Sequence, residues 1–296
     1  MDVRQPVTVD DALAIRSEDP QLLPIAGGTD VMVAANFGRI QPRGFLDLTR
    51  IPALAGHTLI DGVHRLGSGT TYTDSLRRIE GQPALSQAIR TIGSPQIRNR
   101  GTVGGNLGTA SPAGDTLPVL SCYEATVQVA AAERGYRQIP IDAFVLGPKR
   151  TSLAQDELIL SVSWRNVIGP QVFSKVGTRN AMVIAVANLG LVLDEEQRAV
   201  RVALGSAGPT VIRAIRAERF IEAEIEACGV WQDPQSHLPK DAVAEFASLV
   251  AGAAEPIDDQ RGTANYRRHA LKVLAERSLT RCLREREGTP DVGGSR

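Results

Sequence analysis

The sequence predicts an α+β protein of two domains, and three observations carry that reading. Its 296 residues exceed the usual size of one domain. The first half interleaves short strand and helix patterns, whereas the second half reads as strands followed by helices, the order of an α+β layer. A linker-like stretch, Asn166-Val167-Ile168-Gly169-Pro170, stands between them. The expected boundaries are 1–168 for the first domain, 169–287 for the second and 288–296 for a frayed tail without apolar anchors.

Thr8, with Asp10 and Asp11 behind it, caps an apolar-periodic helix through Ile15, and Leu22 to Ile25 then forms a short strand. Val31 to Ala35 continues as helix and Phe45 to Leu48 as strand. Leu59-Ile60-Asp61-Gly62 followed by His64 to Gly67 reads as a hairpin closed by an Asp-Gly turn. Thr73 precedes a helical pattern through Ile79, and Pro83 opens another through Ile92. Beyond Pro118 come strands at Thr126 to Ala131, Tyr136 to Ile139 and Glu157 to Trp164. The second domain contributes strands at Val172 to Val176, Met182 to Leu193 and Ala199 to Leu204. Helices follow at Thr210 to Ala223, Asp241 to Ala251 and Ala264 to Leu283.

Two glycine-rich loops are the strongest functional signal: Ala26-Gly27-Gly28-Thr29-Asp30 and Thr102-Val103-Gly104-Gly105-Asn106. Neither fits the dinucleotide fingerprint of a Rossmann fold. Each places adjacent glycines where backbone N–H groups can approach a phosphate with no Cβ in the way. A Gly-Gly pair alone more often just makes a turn, so the weight lies in the two occurring together. A phosphate near Gly27 to Thr29 also meets the unpaired amides of a helix start.

The stretch from Gly93 to Pro118 is poor in long apolar side chains and reads as a long irregular segment, which in a compact domain points to function. It supplies Arg98 and Arg100 for charge, Thr102, Asn106, Thr109 and Ser111 for hydrogen bonds, and Asp115 as its one carboxylate. That inventory suits a polyol diphosphate. Asp115 can accept from ribityl or ribose hydroxyls, or equally cap a helix near Leu117.

Composition excludes other classes. With 33 basic and 33 acidic residues the net charge is zero, which argues against a broad nucleic-acid or anionic-membrane footprint. No apolar stretch reaches bilayer-spanning length and the N-terminus lacks a signal-peptide pattern, so a cytoplasmic location is expected. Cys122, Cys228 and Cys282 are too scattered for a disulfide framework or a local metal motif and are expected as buried free thiols.

These residues carry a resemblance that runs almost end to end. Leu23 to Asp30 (Leu-Pro-Ile-Ala-Gly-Gly-Thr-Asp), Phe45 to Leu48, Ile92 to Leu107, Ser111 to Asp115, Asp156 to Ile159 and Phe173 to Arg179 occur in the order seen in one group. So do Asp258 to Gly262 with Tyr266, Arg267 and Arg268. The chain resembles the FAD-binding medium subunit of molybdenum hydroxylases, the family of xanthine dehydrogenase and carbon monoxide dehydrogenase.

The resemblance implies an FAD-binding fold of the p-cresol methylhydroxylase and vanillyl-alcohol oxidase type, made of two α/β subdomains at about 1–55 and 56–168, with a C-terminal α+β domain. It implies a first diphosphate loop at Pro24, Ile25, Ala26, Gly27, Gly28, Thr29, Asp30 and Val31. The second would lie at Thr102, Val103, Gly104, Gly105 and Asn106, with Ile92 and Ile97 ahead of it and Thr109 behind. Asp115 corresponds to an FAD-contacting aspartate, Ile159 to an apolar residue against the cofactor, and Lys175 to a lysine near the flavin ring. By residue type alone, Lys175 is as readily a solvated strand lysine.

The function implied is electron transfer. A molybdopterin-binding large subunit and a small subunit with two [2Fe–2S] clusters are the expected partners, as a heterotrimer or its dimer, with FAD held noncovalently here and no metal bound by this chain. His57, His64, His237 and His269 match no covalent-attachment motif, and three cysteines cannot supply the four ligands of the [4Fe–4S] cluster found in some relatives. Two alternatives stand beside this one: a self-sufficient flavin enzyme of the same fold, which needs its own substrate pocket and proton donor, and a binding module that has lost the cofactor.

Overall fold

The computed structural model describes residues 2–288. Its mixture of helices and strands is that of an α+β protein, divided into two compact units. One holds the described residues up to Ile79 together with Ile92–Ser111 and Glu124–Arg165; the other holds Glu80–Thr91, Pro112–Tyr123 and the described residues from Asn166 onward. Two short segments of the first half, 80–91 and 112–123, therefore cluster with the second half rather than with their sequence neighbours. Of the expected tail, Gly288 lies in a turn and 289–296 fall outside the described residues.

The first unit contains a parallel three-stranded sheet in the order Asp2–Arg4, Gly44–Asp47, Leu23–Ile25. Helix Val9–Glu18 starts where Thr8 accepts a hydrogen bond from the Asp11 amide, and Ala12 and Leu13 on its inner face join Leu22, Leu46, Ile51 and Leu54 in the core. Ala130, Leu158 and Leu160 of an antiparallel five-stranded sheet complete that cluster. The second sheet runs His57–Ile60, Val63–Gly67, Leu158–Arg165, Thr126–Ala131, Gly135–Pro140. Its first hairpin closes through Asp61 and Gly62, with φ of 50° and 72°, the double positive-φ turn that Asp-Gly favours. A bulge at Ile159/Ser161 interrupts the central strand.

The second unit is built on an antiparallel sheet of Gln171–Val176, Ala187–Asp194, Ala199–Gly205 and Ile212–Arg213. Alternation along its strands sorts the two faces. Ala187, Leu189, Leu191, Leu193, Val200, Val202 and Leu204 pack with residues of helices Ile215–Ala227, Lys240–Ala253 and Ala264–Arg286, whose Ile221, Phe246 and Leu271 are fully buried. On the opposite parity stand Asn188, Gly190 and Gly205, beneath helix Thr116–Cys122. A Cβ on Gly190 would lie 3.3 Å from the backbone of Pro118 and Val119, so the bare glycines let that helix settle close. Arg267, buried at the start of the last helix, ties it to the sheet by donating to the carbonyls of Val186 (2.7 Å) and Ser206 (3.1 Å) and to Asp259 (2.6 Å). Cys122 and Cys282 are buried free thiols and Cys228 is half-buried; burial pushes the Cys122 thiol up to about 12, which makes it unreactive.

Several expectations need correction. The segment 93–118 is not irregular: it forms helices Pro95–Arg100, Val103–Thr109 and the start of Thr116–Cys122. They are too short for periodicity to show, and close packing demands small residues that mimic loop composition. Thr71, not Thr73, caps the helix Tyr72–Arg78, through the Asp74 amide. The long apolar run from Met182 becomes strand only at Ala187, and Thr210 lies ahead of a short strand, with the helix starting at Ile215. Among the described residues no helix is long and apolar enough to cross a membrane.

Candidate functional site

The first glycine loop follows strand Leu23–Ile25, which places Pro24 and Ile25 in the sheet and Val31 at the first position of helix Val31–Asn36. Gly28 takes a φ of 73°, left-handed backbone that a side chain would strain. Gly27 answers a different need: a Cβ there would sit 2.0 Å from the carbonyl oxygen of Arg100, so the loop lies directly against the backbone that leads to the second motif. Asp30 and Thr109 meet as well, with Thr109 Oγ1 donating to Asp30 Oδ2 at 3.3 Å. Two stretches more than seventy residues apart in sequence are thereby joined within the first unit.

The second motif is a helix start, not a loop. Thr102 is the N-cap of Val103–Thr109, and its hydroxyl accepts from the Gly105 amide at 3.0 Å. Three further amides are engaged: Val103 donates to Thr70 O, Gly104 to Ser68 O and Asn106 to Thr102 O. Val103 and Gly104 are buried, and a Cβ on Gly104 would meet Ser68 Cβ at 2.5 Å. The expectation that both motifs offer bare amides is thus corrected. Among the described residues it is the first loop that offers consecutive ones, where the N–H groups of Gly27, Gly28 and Thr29 donate to no other group.

What the second motif offers is an unobstructed surface. Gly105 is exposed, and a Cβ there would touch only its own cap oxygen, Thr102 Oγ1, at 3.2 Å. One turn on, Gly108 is also exposed, with Ile159 Cδ1 3.7 Å from its would-be Cβ. Among the described residues no other group crowds Gly105, although glycine in a helix costs about 1 kcal/mol relative to alanine. Ile159 itself is held by the bulged strand and nearly buried. Ile97 is exposed on helix Pro95–Arg100, and the Ile92 carbonyl is fixed by Arg98 Nη1 at 2.9 Å.

A cavity of about 200 Å³ opens between these pieces of the first unit, lined by Ala26, Gly27, Thr49, Gly69, Thr71, Arg100 and Thr102 among others. It has the size for a phosphate-bearing part of a nucleotide, and its lining brings the Gly27 amide together with the threonines Thr49, Thr71 and Thr102 and with Arg100. Thr49, Gly69 and Thr71 were not legible as site residues, because only the fold brings them beside Gly27.

Asp115 and Lys175 lie in the second unit and form a buried ion pair, Nζ to Oδ2 2.6 Å. Asp115 occupies the N-cap position of helix Thr116–Cys122 but makes no side-chain cap bond. Its Oδ2 also accepts from Thr91 Oγ1 at 3.0 Å and its Oδ1 from Asn188 Nδ2 at 2.9 Å, while Lys175 Nζ reaches Thr91 O at 3.3 Å. Burial pushes the Asp115 carboxyl above the ordinary carboxylate range, opposed by the Lys175 ammonium and by the three hydrogen bonds to its oxygens. Lys175 is therefore not a solvated strand lysine. Neither is it a lone cation, since its charge is balanced 2.6 Å away.

Residues 1–164 match the family described as FAD binding domain in molybdopterin dehydrogenase. The fold and this match define a flavoprotein subunit of the oxidoreductase class. The chain belongs to the FAD-binding family of molybdopterin dehydrogenases. It is similar to the nicotine 6-hydroxylase medium subunit of Paenarthrobacter nicotinovorans, 30% identical over 283 residues that cover 93% of this chain and 94% of that one. Similarity to the xanthine dehydrogenase FAD-binding subunit of Escherichia coli is 29% over 284 residues, 92% of each. Among solved structures, carbon monoxide dehydrogenase from Hydrogenophaga pseudoflava superimposes with a TM-score of 0.83 at 24% identity over 97% of this chain and 98% of that chain. Quinoline 2-oxidoreductase from Pseudomonas putida 86 gives 0.86 at 20% identity, with the same coverage. At those identities the superpositions speak for the fold.

Proposed function

We propose that this chain is the FAD-binding electron-transfer subunit of a cytoplasmic molybdenum hydroxylase. It takes electrons from [2Fe–2S] clusters of a small partner subunit and delivers them to an external acceptor, while a molybdopterin-binding large subunit acts on the substrate. The assembly is a heterotrimer or its dimer, and the fold is of the p-cresol methylhydroxylase and vanillyl-alcohol oxidase type, with FAD held noncovalently. The observation that carries the reading is the run of unpaired amides at Gly27, Gly28 and Thr29 in a loop packed against Arg100, within a segment whose family is defined by FAD binding. Bound FAD supplies one chemistry: it accepts electrons singly and releases them as a pair.

The residues divide that task. The amides of Gly27 to Thr29 and the Arg100 charge hold the diphosphate, flanked by Pro24, Ile25, Ala26, Asp30 and Val31. The helix that starts at Thr102, with Gly105, Asn106 and Thr109, lets the dinucleotide lie close because no Cβ intervenes. Ile92, Ile97 and Ile159 supply apolar contact and exclude water. Asp115 and Lys175 act on the flavin as an oriented pair, Lys175 as a hydrogen-bond donor whose field is that of a dipole rather than of an isolated charge. Lys175→Met is expected to make the flavin midpoint potential more negative by at least about 30 mV, equivalent to ~1.4 kcal/mol for a two-electron couple. Redox titration of the FAD-loaded chain checks this, and an unchanged potential removes Lys175 from the scheme.

A further inference from the structure

We infer that Asn188 is a positioning residue: by donating to Oδ1 it fixes the rotation of the Asp115 carboxylate, so that Oδ2 is held out to Lys175 and the ammonium is pinned in place. Asn188 is completely buried in the middle of the second unit's sheet. Its strand register puts Lys175 directly opposite on one side and Gly205 on the other, so the three form a row across three strands. Nδ2 reaches Asp115 Oδ1 at 2.9 Å. Its other amide atom, Oδ1, is buried and has no hydrogen-bond partner among the described residues.

That empty acceptor is the argument. A buried, unsatisfied carbonyl costs about 1–3 kcal/mol, and an apolar side chain in a sheet interior would avoid it. The sheet has also been opened to accommodate the amide, because a Cβ on Gly205 would sit 2.0 Å from Asn188 Oδ1. Two departures from good packing, at Asn188 and at Gly205, thus serve a single group, and among the described residues the one bond that amide makes is to Asp115. Without it the carboxylate keeps the Lys175 and Thr91 contacts on Oδ2 but loses the anchor on Oδ1, and its ionised form loses one of its hydrogen bonds.

The link from the pair to the flavin rests on the reading of Lys175 given above, so the test is made first in the chain without FAD. The Asp115 carboxyl is titrated by carbon NMR with labelled aspartate, its signal assigned by its loss in Asp115→Asn. Asn188→Leu, Asn188→Ser and Gly205→Ala are each expected to raise the midpoint by at least about one pH unit, a tenfold change in proton affinity. Asn188→Ser only removes atoms from the site, so it secures a folded sample if the bulkier changes do not. A purely structural role would lower the melting temperature of these variants and leave the titration where it was. An unmoved carboxyl in both Asn188→Ser and Gly205→Ala overturns the inference. In the FAD-loaded chain the flavin potential of Asn188→Ser should shift in the same direction as that of Lys175→Met. A carboxyl that moves while that potential stays still overturns the role given to Lys175, and leaves the positioning role supported.

Discussion

Gly27→Ala should yield a colourless chain. The added Cβ would lie 2.0 Å from the Arg100 carbonyl oxygen and 2.6 Å from its carbon, both backbone atoms that cannot swing aside. The loop must therefore lift away from Arg100, and the unpaired amides of Gly27, Gly28 and Thr29 move with it. The overpacking itself costs about 1–3 kcal/mol. The loss of several charge-assisted hydrogen bonds should weaken FAD binding at least about a hundredfold, equivalent to ~2.7 kcal/mol. Flavin absorbance per mole of purified protein and titration of the stripped chain with FAD measure the effect. A yellow Gly27→Ala protein of ordinary affinity would mean that this loop is a turn and nothing more.

Asp115→Ala is expected to have the largest effect on stability. It strands the Lys175 ammonium in a site where its side chain is only 8% exposed, and takes an acceptor from Thr91 and Asn188. Breaking a buried pair on one side costs about 3–5 kcal/mol. The chain contains two tryptophans, Trp164 in the first unit and Trp231 in the second. In a Trp164→Phe background, urea unfolding followed through Trp231 reports on the unit that holds the pair. The midpoint should fall sharply for Asp115→Ala and recover much of the way in Asp115→Leu with Lys175→Met, where no charge is left buried. If the single variant unfolds at the parental midpoint, the pair does not have the buried geometry described.

Much of the fold was legible because its signals are local. Thr8 as a cap, Asp61-Gly62 as a hairpin turn, the alternation through Leu189, Leu191 and Leu193, and the long helix from Ala264 each depend on neighbours a few residues away. The errors arose where a residue answers to a distant partner. Gly104 is glycine for Ser68, and Gly190 for Pro118 and Val119, so the small residues of 93–118 looked like loop when they were packing devices. The segments 80–91 and 112–123 cluster with the second unit for the same reason: Gly190 and Gly205 were carved to receive the helix that follows Asp115, and no short-range pattern reports that.

The site divides in the same way. Gly27 and Gly28 stood out as a motif, Asp115 as the one carboxylate of its segment and Lys175 through the family resemblance, but the pairing of the last two across 60 residues was not visible in either. Asn188 gave no signal at all, being one polar residue inside an apolar strand, 73 positions from the carboxylate it serves. Glycine spacing also concealed a difference in kind between the two motifs. The first presents consecutive amides, whereas the second has spent those of Val103, Gly104 and Gly105 on the Thr102 cap and the backbone of Ser68 and Thr70, and presents a bare helix face instead.

That difference makes Gly105 the most direct point of attack on the claim that this chain embraces FAD from both motifs. Without FAD, Gly105→Ala should keep the chain within about 1 kcal/mol of its parent stability, since the gain in helix propensity is set against the small shift that a Cβ 3.2 Å from Thr102 Oγ1 asks of the cap. With FAD, the same methyl should stand where the nucleotide lies. Isothermal titration of the stripped protein should then show affinity falling at least about tenfold, ~1.4 kcal/mol, in a chain that remains folded. Unchanged affinity in a folded Gly105→Ala chain would contradict the account.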